Sequence, residues 1–154
     1  MTTSNTITQL PGYEDVQDLI PGGVLLYCKD VWRLCFEHYR DEIDDLRRRM
    51  VLELARDVQD RASDRVAMIM EAPTQISFPD SWQIIGLDVE DIGERGWEGL
   101  RWRVYDCEMS GFELYCASIR FERRNYAQLG HASNGGLATP VGNSGVAEAP
   151  PLRT

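Results

Sequence analysis

The chain has 154 residues, 43% of them hydrophobic and 27% charged, with a formal net charge of −9. This length and balance fit one globular domain with an ordinary core. The acidic excess excludes a general grip on nucleic acid or anionic membrane, because both need positive charge to displace counterions or meet lipid head groups. The four cysteines form no CxxC pair, the opening residues lack the basic and apolar regions of a secretory signal, and no apolar run exceeds five residues. The expectation is a cytoplasmic protein, or a virion component if viral, that is not secreted, has no transmembrane segment and keeps its thiols reduced.

Residues 1–23 read as an N-terminal arm punctuated by Pro11-Gly12 and Pro21-Gly22-Gly23. Within it Tyr13, Val16, Leu19 and Ile20 share one face of a helical turn, with Glu14, Asp15 and Asp18 elsewhere. Such a helix either docks on a partner or packs on its own domain.

Residues 24–126 read as a single α+β domain. There is no glycine or proline in 24–72, and Cys28, Trp32, Cys35, Tyr39, Ile43, Leu46 and Met50 recur at a mean spacing of about 3.67, the period of a straight helix. A long amphipathic helix over about 27–59 is therefore expected to lie across a sheet. The acidic run Asp41, Glu42, Asp44, Asp45 and the following Arg47, Arg48, Arg49 would pair along it at i, i+4. The polar stretch 59–65 would break the helix, leaving 66–70 as strand or helix.

The second half is rich in β-branched and aromatic residues, and predicts a three- or four-stranded antiparallel sheet over about 76–124. A two-residue turn at Ser110-Gly111 would pair position i with 221 − i. That register leaves apolar residues on both faces of the hairpin, at opposite ends, so the sheet would need a cover on each face. It also sets Arg101 opposite Arg120, with Arg103, Arg123 and Arg124 close by, a like-charge arrangement that an acidic group would neutralise. Residues 127–154, poor in aromatics and rich in Gly, Ala and Pro, read as a flexible tail.

No motif specifies a reaction. Cys35, His38 and Glu42 could line up on a helix but lack the recurring ligand pairs of a zinc site, so no metal or other cofactor is expected. The reading that follows is a non-catalytic structural or accessory protein acting through protein contacts or self-association, as a subunit of a larger viral, phage or bacterial assembly. Its contact residues would be Arg101, Arg103, Arg120, Arg123, Arg124, Tyr13, Val16, Leu19 and Ile20, with nucleic acid reachable through the local arginine patch alone. One alternative is a small acidic inhibitor or regulator that binds a larger protein or nucleoprotein complex. Another is a small enzyme using His38, Tyr39 or Tyr105 in a pocket between helix and sheet.

Overall fold

The 49 residues that lack glycine and proline, 24–72, contribute three strands where their spacing predicts a helix. In a computed structural model that describes residues 5–78, 86–108 and 111–126, they form β1 (Asp30–Arg40), β2 (Leu46–Ala55) and β3 (Arg65–Glu71). The local reason is chemical. Val31, Trp32, Cys35, Phe36 and Tyr39 favour a pleated, half-buried surface, and the acidic run supplies a turn. The Asp41 carboxylate accepts from the Ile43 and Asp45 amides at 3.1 and 3.0 Å, and Asp44 adopts φ 65°. The charges pair across the hairpin: Arg47 meets Asp41 at 2.7 Å and Arg49 meets Glu37 at 2.6 Å, in place of the expected helical pairs.

The α+β expectation is therefore corrected to a mostly β fold of two four-stranded antiparallel sheets. The first has the order β1-β2-β3-β8. The second joins β4 (Thr74–Ser77), β7 (Glu113–Cys116), β6 (Trp102–Asp106) and β5 (Leu87–Asp91), and β8 spans Ser118–Arg124. Among the described residues the one α-helix is the single turn α1 (Tyr13–Val16). Residues 66–70 are strand.

One ladder runs through both sheets. Glu71 pairs with Ser118 and Thr74 pairs with Tyr115 in the same register, and the Ala117 amide bonds to the Glu71 carbonyl at 2.9 Å. The chain turns this corner at Ala72, with φ 50°, and Pro73 on one side and at Ala117 on the other. The second sheet thus folds over the first. Met50, Leu52, Leu54, Val66, Met68, Met70, Ile119 and Phe121 from one sheet meet Val89, Val104, Leu114 and Cys116 from the other in a common core.

The expected register also changes. Trp102 pairs with Cys116 and Val104 with Leu114, so positions sum to 218, and the Asp106 amide donates to the Phe112 carbonyl at 2.9 Å. The link from β6 to β7 is therefore longer than a two-residue turn; Ser110 lies outside the described residues, as does the tail expected over 127–154.

The N-terminal segment closes the core. The Asn5 carboxamide accepts from the Ile7 amide and caps the 3-10 turn Thr6–Gln9; α1 and further turns at Pro21–Gly23 and Leu25–Cys28 follow. Ile7, Leu10, Val16, Leu19, Ile20, Leu25 and Cys28 are buried in the core cluster. At Pro11 the segment runs beside β8, where its carbonyl accepts from the Phe121 amide at 2.8 Å.

Candidate interaction surface

Along β1 and β2, Leu34, Phe36 and Met50 point to the core side while Arg33, Cys35, Glu37, Val51 and Glu53 point outward. Alternation of this kind follows from the two-residue period of a strand. On the outer face Val51, Ala67 and Ile69, with Cys35 against them, form a small second core. Charged and aromatic side chains surround it. Tyr39 donates to Glu71 at 2.6 Å, Arg120 reaches Glu71 at 3.1 Å, and the buried Glu53 accepts from the Tyr126 hydroxyl. Arg65, also buried, stacks on Trp32 at 4.3 Å and donates to the Asp60 carbonyl at 2.6 Å. No signal in the sequence brings Arg65, Trp32 and Glu53 together: Trp32 lies on the seam of the expected helix, and Arg65 lies beyond its end.

The arginines expected to form one patch are distributed over both sheets. Arg120 pairs with Ile69 of β3 and not with Arg101, because β8 belongs to the first sheet. Arg101 is held at the end of the second sheet by Asp91, with contacts of 3.3 and 3.1 Å, and lies over Trp102. Arg103 crosses the outer face of that sheet, donating to Glu113 at 2.6 Å and Glu90 at 3.2 Å while resting on Tyr105. Arg123 forks onto Asp18 at 2.8 and 3.0 Å and meets Asp64 at 2.5 Å; Arg124 meets Glu122 at 2.7 Å. Each of the five therefore has a carboxylate partner within the chain.

The pairing holds several carboxyls below their ordinary range: Asp18 through its hydrogen bond with Arg123, Glu37 through Arg49 and Glu113 through Arg103. Of the N-terminal residues, Val16, Leu19 and Ile20 face the chain's own core, and the Tyr13 hydroxyl accepts from the Gly23 amide at 3.1 Å.

The three residues weighed as acid/base groups, all of them among the described residues, are not brought together. His38 is exposed on β1, Tyr39 lies on the opposite face of that strand bonded to Glu71, and Tyr105 belongs to the second sheet beneath Arg103. Among the described residues no three His, Cys, Asp or Glu side chains cluster as metal ligands. Burial pushes the Cys116 thiol up to about 12, and it also raises Cys28 and Cys35.

These shifts give a pH prediction. Cys116, Tyr105, Tyr115 and Tyr126 are raised chiefly by burial and Tyr39 by its bond to Glu71, so each keeps its proton in the folded state after the unfolded chain has lost it. For Cys116 the stabilisation is complete below the ordinary thiol value of 9.0 and is lost as pH rises from there toward about 12, and the tyrosines add a loss of the same sign above their ordinary value of 10.0. The urea midpoint is expected to fall steadily between about pH 9 and about pH 11, and a flat profile would contradict the buried thiol.

Exposed apolar side chains occur at Leu26 and Tyr27 as well, but at the β1–β2 hairpin they adjoin an open strand edge. Beyond Glu71 the hairpin has no third strand beside it, since β2 pairs with β3 only as far as Arg49. Ile43 and Leu46 at the hairpin end are 74% and 66% exposed, and Phe36, edge-on to Phe78, is 45% exposed. No helix of the described residues is long and apolar enough to cross a membrane. No family model, no curated protein and no solved structure matches this chain, so nothing links it to a viral or bacterial assembly and the reading of its surface rests on its own residues.

Proposed function

We propose that this protein is a non-catalytic subunit or accessory protein that works through protein contacts made by the β1–β2 hairpin. The observation that supports this is the pairing of exposed apolar side chains, Phe36, Ile43 and Leu46, with a strand edge 11 residues long in a chain whose conspicuous arginines are neutralised internally. An exposed backbone edge supplies hydrogen bonds and the neighbouring apolar groups supply desolvation, the two ingredients of strand addition. A cytoplasmic setting, in which the thiols stay reduced, is part of the reading.

Site-specific photo-crosslinking tests it. A benzophenone amino acid at Ile43 or Leu46 is expected to give a protein adduct in the native host, and the same group at Glu94, at the far end of the second sheet, is expected to give none. Equal labelling at all three positions, or no adduct from the hairpin, would overturn the proposal.

A further inference from the structure

The edge of β1 is complementary to itself. The Asp41 amide bonds to the Asp45 carbonyl at 3.0 Å, and the Arg48 carbonyl accepts from Ala72 of the neighbouring ladder at 2.9 Å. Together with the register, these two bonds fix the alternation of an antiparallel pair: Arg33, Cys35, Glu37 and Tyr39 exchange bonds with β2, while the amides and carbonyls of Leu34, Phe36 and His38 point away from it. Among the described residues nothing pairs with them. The other edges are shorter or engaged: β8 has seven residues and bonds to Pro11 at Phe121, and β4 and β5 are only four and five residues long.

We infer that a second copy of this chain occupies the edge, with the two β1 strands antiparallel about a two-fold axis at Cys35. This deepens the protein-contact reading and rests on it. In that register Leu34 and Phe36 of opposite copies exchange the two free pairs of backbone bonds. Their side chains meet on the core side, where Phe36 is 45% exposed. On the outer face Arg33 of each copy stands opposite Glu37 of the other. Both remain accessible: the Arg33 side chain is 53% exposed with its contact to Glu53 as long as 3.8 Å, and Glu37, although paired with Arg49 at 2.6 Å, is 37% exposed and has its second oxygen to offer.

Shifting the axis removes the match. At Glu37 it sets two carboxylates face to face, and at Phe36 it leaves Arg33 opposite Tyr39 and Glu37 opposite Cys35. The bulge between Val31 and Arg33 ends the regular ladder at one side, which confines the contact to the segment 33–37 and its flanks. Two first sheets would then join into one of eight strands, a closed, isologous arrangement that leaves no new edge at the joint.

Light scattering and thiol crosslinking of the full chain test this. Wild type is expected to run as a dimer at micromolar concentration. Arg33→Glu and Glu37→Arg should each shift it toward monomer by at least about tenfold in dissociation constant, since each places like charges opposite at two symmetric positions. The double variant should recover the dimer. In the proposed register the two Cys35 residues form a non-bonded pair, the close position at which Cα atoms approach about 4.5 Å and a disulfide can form. Diamide should therefore join them, taking two electrons and two protons from the two thiols to become the hydrazine, and Cys35→Ala should abolish the product while Cys107→Ala does not.

A monomer at all concentrations without a Cys35 crosslink, or a dimer indifferent to both charge reversals, would overturn the inference. A monomer that still gives a hairpin-specific photo-adduct with a different protein would end the self-pairing and leave the protein-contact reading standing.

Discussion

Gly12→Val is expected to destabilise the fold by about 3 kcal/mol or more, from a backbone conformation that penalises a side chain and a collision that cannot relax. Gly12 has φ 79°, and a Cβ built there would lie 2.0 Å from the Phe121 carbonyl oxygen. That oxygen belongs to β8, which cannot move aside without disturbing its ladder with β3. The substitution would pull Pro11 away from the Phe121 amide and lift Val16 and Ile20, both fully buried, from the core. Urea unfolding followed by tryptophan fluorescence measures the loss. Gly22→Val provides the control: Gly22 also has positive φ, 63°, but a Cβ there would meet nothing within 4 Å, so this variant should lose less.

Tyr126→Phe is expected to cost about 1–3 kcal/mol, the usual consequence of stripping a partner from a buried polar group. Glu53 is 1% exposed in the middle of the outer face, and its other charged neighbour, Arg33, stands off at 3.8 Å. Removing the Tyr126 hydroxyl leaves a buried carboxylate that has lost its hydrogen bond and keeps the long ion pair to Arg33. Adding Glu53→Gln should recover part of the loss, since the neutral amide is cheaper to bury. If Tyr126→Phe unfolds at the wild-type midpoint, the hydroxyl contributes nothing to holding Glu53.

The second half of the chain is legible as strands because β-branched and aromatic residues alternate there. Its apolar residues fall on two faces at different heights for a reason that one sheet cannot express: Ile119 and Phe121 belong to the first sheet, whereas Val104 and Leu114 belong to the second. The apparent need for two covers is the mark of a chain that changes sheets at Ala117. In the first half, absence of glycine and proline favours a helix, but Asp41 and Asp44 make the turn with side-chain and left-handed backbone geometry of their own. The seam spaced at about 3.67 runs from the outer face at Cys35 and Tyr39 to the core at Met50, so it is no face at all.

The arginines are conspicuous in the sequence, yet their partners are distant in it. Arg123 meets Asp18 across 105 positions and Arg120 meets Glu71 across 49, separations that no local pattern predicts. The open edge is hidden for the same reason, because a strand edge exists only once β1 is a strand. Its self-complementary order, Arg33-Leu34-Cys35-Phe36-Glu37, is visible in the sequence only when read from both directions.

Everything assigned to the surface depends on residues 30–55 forming a hairpin, and nuclear Overhauser contacts in the full chain test that most directly. Phe36 and Met50 form a non-bonded antiparallel pair, so their α-protons are expected to give a strong cross-strand contact, with a second between Leu34 and Leu52. A continuous run of sequential amide contacts and α-to-amide contacts three residues apart through 27–59 would instead show the helix and contradict the account.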